Sequence, residues 1–434
     1  NLIPGETTFA LDGRTFQVSK LEPDIGRIEL QDVTFANAVG FPIFRVEPIS
    51  AIRQHLEQEP ESPAPATEPE KTLDEVLDEH PVSIQVNGEW QTFPNVKAAE
   101  EASYEEYKAN LRRTTENFLI TDDHLGEGGP KAKFQANITA IKLLKYLEET
   151  TGQATPEQQK ILSRYVGWGG LADAFDPEKP AWAAEYAQLK ELLTRSEYAA
   201  ARGSTLNAHY TSPTVIKAIY EAVGRMGFET GNILEPSCGV GNFFGMLPEK
   251  MRNSRLYGVE LDSISGRIAK QLYPKADITV AGFETTDRRD FYDLAVGNVP
   301  FGQYQVRDKA YDKLNFNIHN YFFAKALDQV RPGGVVAFVT SRYTMDAKDS
   351  TVRRYLAQRA ELLGAIRLPN DAFKKNAGAE VVSDIIFLQK RDHPLDIVPE
   401  WTQTGQTQDG FAINRYFLDH PEMVLGRQEP ESTA

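Results

Sequence analysis

The segment 232–243, NILEPSCGVGNF, constrains the fold of this chain more than any other stretch of the sequence. It begins as an apolar strand, breaks into a turn that contains glycines, and continues as a helix. Glycine in such a turn can adopt a positive φ and lets the backbone approach a ligand closely. From residue 232 onward strand-like and helix-like segments alternate, which predicts a parallel sheet covered on both faces. Ligands of such sheets bind at the carboxyl ends of the strands.

This alternation resolves into seven predicted strands and three predicted helices. The strands are expected at residues 232–236, 256–261, 277–281, 293–297, 335–340, 365–368 and 383–389. The helices are expected at residues 263–272, 320–330 and 351–362. The sequence therefore predicts an α/β domain built on a seven-stranded sheet.

Short β elements are predicted near the amino terminus. Asp12-Gly13 and Asn87-Gly88 are turn dipeptides between strand-like segments, so each predicts a hairpin. Strands are expected at 8–11, 14–20, 27–31, 33–35, 82–86 and 89–93, and a helix at 49–58.

The length of 434 residues predicts two or three domains. The segment 59–70, EPESPAPATEPE, has almost nothing to bury and is expected to be an extended, disordered linker. Residues 98–200 are mostly helical by pattern, with a helix start at Thr155-Pro156-Glu157. The predicted organisation is a small β-rich module at 1–58, an acidic Pro-rich linker at 59–75, a mainly helical region with a hairpin at 76–205, an α/β domain at 206–392 and a C-terminal extension at 393–434.

The net charge of −15 argues at first sight against a nucleic-acid partner. The acidic residues are concentrated in one part of the chain, because residues 51–108 hold 14 Asp/Glu and 4 Lys/Arg. Residues 342–391 are basic, with 10 Lys/Arg and 6 Asp/Glu. This basic excess is as consistent with an ordinary solvated face as with a phosphate-binding one.

The single cysteine, Cys238, excludes an internal disulfide and a cysteine-rich zinc site and fits a reducing cytoplasm. No stretch has the apolar length of a membrane span, and no secretory signal opens the chain, so no membrane partner is expected. Because the first residue is Asn1, we expect a fragment of a longer polypeptide.

The glycine turn does not match the dinucleotide fingerprint. Its glycines are Gly239, Gly241 and Gly245, and Phe244 stands where the third glycine of GxGxxG would be, so a nicotinamide enzyme is disfavoured. Glu260, at the end of the next predicted strand, can accept hydrogen bonds from both hydroxyls of a ribose. The turn and the acid together favour a nucleoside-containing cofactor over a simple helix cap.

The segment Asn298-Val299-Pro300-Phe301 combines an amide, a rigid kink and an aromatic ring at the end of a predicted strand. The amide oxygen of Asn298 and a neighbouring backbone carbonyl can accept both protons of an aromatic amine, and the ring of Phe301 can stack on a base. These residues predict methyl transfer to an exocyclic amine, which depends on positioning and electrostatics more than on a strong base. A base within a duplex would have to be flipped out.

These motifs, from about residue 209 to residue 390, resemble those of adenine-specific amino-methyltransferases that act on DNA. The matching segments are HYTSP at 209–213, EPSCGVGNF at 235–243, the acid Glu260, and NVPF at 298–301, where the family has Asn/Asp-Pro-Pro-Tyr/Phe. The resemblance implies a Rossmann-like seven-stranded methyltransferase sheet, S-adenosylmethionine as the cofactor, and DNA as the partner.

The resemblance also implies roles for individual residues. The cofactor-binding positions would be Tyr210, Thr211, Pro213, Glu235, Pro236, Gly239, Gly241, Asn242, Phe243, Glu260, Phe283 and Glu284. The catalytic positions would be Asn298, Val299, Pro300 and Phe301. No metal is expected, because the seven histidines are scattered without paired spacing.

From about residue 117 the chain resembles, more narrowly, the methyltransferase-like portion of very large methylase–helicase proteins of conjugative elements and phages. The tracts ITDD at 120–123, YVGWGG at 165–170 and IRLP at 366–369 are typical of that group. The resemblance implies a helicase region of the same full-length polypeptide as a partner.

Two positions depart from the family pattern. Val299 replaces the first proline and gains a backbone N–H, and Phe283 stands where the family has an acid directly after glycine, with Glu284 one residue later. These departures motivate an alternative hypothesis, a catalytically degenerate platform that binds DNA or a partner. Methylation of cytosine, RNA or a protein glutamine is a further alternative that the pocket chemistry leaves open.

Other candidate residues carry weaker predictions. Trp168 is expected to pack in the core and not to stack on a nucleotide. His319 is more consistent with a cap or surface contact than with a catalytic base. Arg353-Arg354 and Lys374-Lys375 could hold phosphates or lie on a solvated surface.

Overall fold

The computed structural model describes residues 2–11, 13–23, 26–33, 44–57, 81–86, 89–99, 101–102, 116–150, 152–205, 211–373 and 381–429. The chain divides into two compact units. The first unit contains Asn1–Thr115 and Lys145–Gln158, and the second contains Glu116–Leu144 and Gln159–Ala434. The domain boundaries at residues 58, 75, 205 and 392 stay predictions, and the linker at 59–75 lies outside the described residues.

The first unit contains a four-stranded antiparallel sheet. Its strands follow one another in chain order as β1 (Thr8–Leu11), β2 (Arg14–Glu22), β3 (Arg27–Asp32) and β4 (Phe44–Pro48), and helix α1 (Ile49–Glu57) follows β4. Phe16, Val18, Ile28 and Leu30 alternate along β2 and β3 and form a small core with residues of α1. The predicted strands at 8–11, 14–20 and 27–31 are confirmed. The strand predicted at 33–35 falls largely outside the described residues, and β4 was not predicted.

The second predicted hairpin is also confirmed. Strands β5 (Val82–Val86) and β6 (Glu89–Phe93) pair in antiparallel register. The turn residues Asn87 and Gly88 lie outside the part of the chain that the structure describes.

Between the second hairpin and the large sheet, the described residues include a series of helices. Among them are α2 (Pro130–Glu149), α3 (Pro156–Leu162), α4 (Ala183–Leu192), α5 (Arg195–Ser204) and α6 (Pro213–Arg225). At the start of α3 the Thr155 hydroxyl accepts from the Gln158 N–H while the Gln158 amide oxygen accepts from the Thr155 N–H, which is a reciprocal cap.

Trp168 packs in the core of the second unit, as predicted. Its ring is buried and makes edge contacts with Phe134, Tyr165 and Phe175, with centroids 5.2 to 6.3 Å apart.

The second unit is built on a seven-stranded sheet in the order β12-β13-β11-β10-β7-β8-β9. The strands are β7 (Asn232–Glu235), β8 (Arg255–Glu260), β9 (Asp277–Val280), β10 (Tyr292–Asn298), β11 (Val330–Ser341), β12 (Ala360–Arg367) and β13 (Ser383–Lys390). Strands β7 to β11 are parallel, and β13 runs antiparallel between β11 and β12.

Helices and a short hairpin accompany this sheet. The helices are α7 (Asn242–Gly245), α8 (Ser263–Leu272), α9 (Ile318–Gln329), α10 (Tyr343–Asp346), α11 (Thr351–Arg359) and α12 (Arg415–Asp419). The hairpin pairs β14 (Thr404–Gln406) with β15 (Ala412–Asn414).

The strand order reverses between β7 and β10. From β7 the chain proceeds outward to β8 and β9 and then returns to place β10 on the other side of β7. Helices before and after such a reversal cover opposite faces of the sheet, and ligands of sheets with this topology bind at the carboxyl ends of the two strands involved, which here are β7 and β10.

Two predicted helices extend too far. Val330 was assigned to a helix but begins β11. Residues 360–362 were assigned to a helix, but α11 ends at Arg359 and β12 begins at Ala360. Ala360, Glu361 and Leu362 pair with residues 388–390 of β13, and this ladder prevails over the local helical pattern.

Candidate active site

The carboxyl ends of β7 and β10 are joined directly at the switch point. The Ser237 hydroxyl, just after β7, donates to the backbone carbonyl of Asn298 at 3.0 Å. Glu235 ends β7 and Asn298 ends β10, so the two segments singled out in the sequence meet at one place.

The glycine turn after β7 has the backbone geometry that was predicted. Gly239 has φ +55° and Gly241 has φ +84°, values that L side chains rarely adopt. A Cβ on Gly239 would meet no atom within 4 Å, whereas a Cβ on Gly241 would collide with the ring of Tyr273. Gly241 therefore serves packing, and Gly239 borders open space.

Glu260 holds this turn from the end of β8. Its Oε2 accepts from the Gly239 N–H at 2.6 Å, and its Oε1 accepts from the Asp262 N–H at 2.8 Å. Burial raises the pKa of Glu260 to about 7, against the backbone donors that lower it. Each carboxylate oxygen has two lone pairs, so acceptor capacity remains for the hydroxyls of a ribose.

Glu235 is a buried carboxyl group without a complete set of partners. Its Oε2 has no hydrogen-bond partner among the described residues. Burial raises its pKa well above the usual value, and the charge of Glu260 adds to the shift. A buried carboxyl oxygen of this kind calls for a donor from a ligand or from water.

Asn298 is linked to the early motif. Its Nδ2 donates to the Thr211 hydroxyl at 3.1 Å, although the two residues are 87 positions apart. Thr211 is buried just before α6, whose first residue is the buried Pro213. Tyr210 lies outside the described residues.

Val299 uses the N–H that distinguishes it from the family's proline. This N–H donates to the Val339 carbonyl at 3.1 Å and so extends the pairing of β10 with β11 by one residue. The side chain is buried in the core. Pro300 and Phe301 follow as partly exposed residues.

The remaining predicted cofactor residues surround the glycine turn. Pro236 is buried, and Asn242 and Phe243 begin α7. The Tyr220 hydroxyl donates to the Phe243 carbonyl at 2.8 Å, which fixes α7 against α6.

Phe283 and Glu284 are separated by the fold. Phe283 is 3% exposed and packs against Phe322 at 4.9 Å between ring centroids. Glu284 is exposed, and its carboxylate folds back over Gly282. Of the two, Glu284 has the side chain that solvent can reach, while Phe283 contributes to the core.

Two residues at the site were missed or misjudged. Leu261 follows Glu260 and is 76% exposed, and an apolar residue directly after a strand-end acid was the available signal. His319 is 1% exposed, so the prediction of a cap or surface contact was wrong. Burial lowers the pKa of His319 to about 4, and the backbone of Gly302 opposes the shift.

The other basic candidates lie in different settings, and Arg354 is exposed. Arg353 is buried, and its Nε donates to the Thr402 carbonyl at 2.8 Å, so it is neither solvated nor on a phosphate-binding surface. Lys374 and Lys375 lie outside the described residues. Among the residues that the structure does describe, no group of His, Cys, Asp and Glu could hold a metal, and no helix is long and apolar enough to cross a membrane.

Comparison with known sequences identifies relatives of this segment. The N-6 DNA methylase family matches residues 190–398. "Defense against restriction protein B" of Escherichia phage P1 is 28% identical over 279 residues, which are 63% of this chain and 11% of that protein. Type II methyltransferase M.CvrRI of Paramecium bursaria Chlorella virus XZ-6E is 37% identical over 92 residues, which are 21% of this chain and 24% of that protein. The chain thus spans only a small part of either relative.

Solved structures show weaker similarity. A protein of Listeria monocytogenes assigned to the class I S-adenosylmethionine-dependent methyltransferases gives a TM-score of 0.37 at 18% identity, covering 62% of this chain and 90% of that one. A modification subunit assigned to a type I restriction enzyme of Vibrio vulnificus YJ016 gives a TM-score of 0.37 at 16% identity, covering 72% of this chain and 68% of that one. The fold assignment rests on the strand order and not on these superpositions.

The residues at the switch point fit S-adenosylmethionine, the cofactor of this fold. The space beside Gly239 admits a close approach to the backbone, Glu260 can accept from a ribose, and the unpartnered oxygen of Glu235 can accept from an ammonium group. The strand order, the glycine turn and the family match all lie in one segment. Residues 190–398 of this chain thus match the N-6 DNA methylase family, and the sheet that they form has the S-adenosylmethionine-dependent methyltransferase fold.

Proposed function

We propose that this domain transfers a methyl group from S-adenosylmethionine to the exocyclic amine of adenine in DNA. The observation that carries the proposal is the placement of Asn298 at the switch point. The backbone carbonyl of Asn298 accepts a hydrogen bond from the Ser237 hydroxyl, and its side-chain Nδ2 donates one to the Thr211 hydroxyl. The residue is therefore oriented before a substrate arrives.

In the proposed reaction the chain orients an amine and polarises it. S-adenosylmethionine, when bound, supplies an electrophilic methyl group on its sulfonium. Nδ2 of Asn298 donates to Thr211. In the proposed complex the amide oxygen of Asn298 accepts one proton of the amine, and the carbonyl of Val299 accepts the other. Acceptors on both protons concentrate electron density on the nitrogen, and no strong base is required.

The replacement of proline by Val299 is compatible with this chemistry. The backbone carbonyl that would accept the second proton is kept, and the additional N–H is bonded to Val339 and does not enter the site. Phe301 can stack on the base once adenine has been extruded from the duplex.

The proposal extends to the context of the domain. One relative is a phage protein whose name refers to restriction, and this chain spans 11% of that protein. We infer that the domain belongs to a larger methylase–helicase of a mobile element, with DNA as substrate and the helicase region of the same polypeptide as partner. A cytoplasmic location is part of this proposal.

The test compares the wild-type chain with Asn298→Ala in a methyl-transfer assay. The protein is incubated with S-adenosylmethionine labelled in its methyl group and with unmethylated plasmid DNA, and the DNA is then digested to nucleosides for mass spectrometry. We expect N6-methyladenine from wild type and a loss of at least about a hundredfold in Asn298→Ala. Label on cytosine, or equal label from both proteins, would overturn the assignment to adenine or to Asn298.

A second candidate function is a DNA- or partner-binding platform that has lost catalysis. The burial of Phe283, at the position where the family has an acid, favours it. The same assay separates the two: DNA binding by wild type, together with absence of label on any base, would favour the platform.

A further inference from the structure

Lys325 is a buried charge that the proposed methyl transfer does not use. It lies in α9, and the residue is only 3% exposed. A buried ammonium group is costly unless acceptors surround it. Its acceptors therefore indicate which parts of the structure depend on it.

The ammonium group of Lys325 has two acceptors from different segments. Nζ donates to Oδ2 of Asp308 at 2.8 Å and to the backbone carbonyl of Glu284 at 3.1 Å. The rings of Phe283, Tyr311 and Tyr321 lie around it, with centroids 5.3 to 5.9 Å from Nζ. The ammonium group therefore binds two separate segments of the chain and is surrounded by aromatic rings.

Asp308 organises the loop that follows the catalytic motif, residues 302–317, here called the substrate-side loop. Its Oδ2 also accepts from the Tyr321 hydroxyl at 2.8 Å, and its Oδ1 accepts from the Ala310 N–H at 3.2 Å. Its carbonyl accepts from the Tyr311 N–H at 2.8 Å. The loop begins directly after Phe301, so its anchorage restrains the backbone that follows this residue.

Glu284 belongs to the loop after β9, residues 281–286, here called the cofactor-side loop. This loop contains the predicted cofactor positions Phe283 and Glu284. Because the same ammonium group binds the Glu284 carbonyl and the Asp308 carboxylate, a displacement of either loop changes the geometry of the other contact.

We propose that Lys325 is a positioning residue that couples cofactor binding to the ordering of the substrate-side loop, an inference that rests on the proposed function. A cofactor that fixes the cofactor-side loop fixes Lys325, which in turn holds Asp308 and the loop that follows Phe301. Coupling between two sites is reciprocal and is measured as a ratio of affinities. A residue that only stabilised the fold would lower both affinities and leave that ratio unchanged.

The experiment measures the affinity for DNA with and without saturating S-adenosylhomocysteine, the unreactive product. The probe is a labelled random-sequence duplex with one adenine opposite an abasic site, which lowers the cost of extruding the base. The proteins are wild type, Lys325→Met, Asp308→Asn and Tyr311→Phe. Tyr311→Phe is the matched control, because it removes the 2.6 Å bond from the same loop to Asp328 but keeps the ring and both contacts of Lys325.

For wild type we expect S-adenosylhomocysteine to tighten DNA binding by about tenfold, within the usual range of coupling between sites. We expect a ratio within about twofold of unity for Lys325→Met and Asp308→Asn, and the wild-type ratio for Tyr311→Phe. A wild-type ratio in Lys325→Met, or the absence of coupling in wild type, would overturn the proposal. If Lys325→Met does not fold, Asp308→Asn decides the question by the same criterion.

Failure of the proposed function would be recognised separately. If wild type binds no S-adenosylhomocysteine by isothermal titration, the methyltransferase proposal fails. If wild type binds cofactor and DNA with coupling, and Lys325→Met keeps that coupling, only the role of Lys325 is rejected.

Discussion

Val299 departs from the family pattern, and its N–H makes a hydrogen bond that a proline could not make. A proline at this position would fix φ and provide no donor, whereas valine donates to Val339 and lengthens the pairing of β10 with β11. Valine at this position lacks the rigid ring of proline but adds one hydrogen bond between β10 and β11.

Restoring the family's residue should therefore destabilise this chain. We expect Val299→Pro to lower the free energy of unfolding by about 1–3 kcal/mol, because the Val339 carbonyl loses its donor in a buried setting. Denaturant unfolding gives the value. Val299→Ala is the control for the lost side chain, and an equal cost in the two variants would show that the N–H contributes nothing.

Glu260 should make stability depend on pH. Its pKa in the folded protein is about 7, above the ordinary value of 4.5, so the folded state holds the proton more tightly than the unfolded state does. The contribution of Glu260 is therefore most favourable below about pH 4.5 and falls as the pH rises to about 7. We expect Glu260→Gln to have a flatter profile of unfolding free energy in this window, and parallel profiles would contradict the shift.

His319 should act in the opposite direction. Burial lowers its pKa to about 4, so the unfolded chain binds the proton more readily between about pH 4 and pH 6.5. Stability from a neutral His319 is present above about pH 6.5 and is lost as the pH falls toward 4. His319→Gln should lose less stability on acidification than wild type, and an unchanged acid profile would argue against a buried neutral imidazole.

At the scale of the element, the glycine turn should respond differently at its two positions. Gly239 has a positive φ, so Gly239→Ala places a Cβ in a left-handed conformation at a cost of about 1–2 kcal/mol. The added methyl group meets no protein atom and occupies the open space that the proposal assigns to the cofactor. Gly241→Ala adds a collision with Tyr273 to the same strain. We expect Gly239→Ala to lose cofactor affinity more than stability, and Gly241→Ala to lose stability more. Titration with S-adenosylhomocysteine measures the loss of affinity, and thermal unfolding measures the loss of stability. A larger loss of affinity in Gly241→Ala and a larger loss of stability in Gly239→Ala would contradict the roles given to the two glycines.

Elements defined by local signals were predictable from the sequence. The helix at 263–272 was predicted with correct bounds because Asp262 caps it and its apolar residues recur with helical spacing. The start of β12 was not predicted correctly, because Ala360 becomes a strand residue only by pairing with Lys390, which lies thirty positions later.

The candidate site also contains features that the local sequence predicts and contacts that it does not. The turn at 239–241 and the acid Glu260 could be located from residue type and spacing alone. The bond from Asn298 to Thr211 joins residues 87 positions apart, and the acceptors of Lys325 lie 17 and 41 positions away. Nothing local marks a lysine as buried, so contacts of this kind emerge only from the fold.

At the scale of the whole molecule, a buried ionic cluster connects the sheet to the C-terminal residues. Arg367, at the end of β12, makes two 2.9 Å bonds to Asp384 of β13 and a 2.7 Å ion pair with Asp346 of α10. Its guanidinium lies 4.5 Å from the ring centroid of Phe417, and its carbonyl accepts from the Leu425 N–H. We expect Arg367→Met to cost about 3–5 kcal/mol, because two buried carboxylates lose their counter-charge.

Denaturant unfolding of Arg367→Met measures this cost. Arg415→Met is a matched control, because Arg415 pairs with Asp419 at an exposed position and should change stability by less than about 1 kcal/mol. Equal effects of the two substitutions would show that burial of the cluster does not matter.

Strand β13 follows β11 and β12 in the chain and yet lies between them in the sheet. Neither neighbour can complete its hydrogen bonding on that side until residues 383–390 have left the ribosome, so the facing edges of β11 and β12 stay unpaired while residues 368–382 are synthesised. Premature termination before this point would release a polypeptide in which β12 has no partner strand and the edge of β11 is exposed to chaperones and proteases. The seven-stranded sheet is therefore complete only when this late segment has been synthesised.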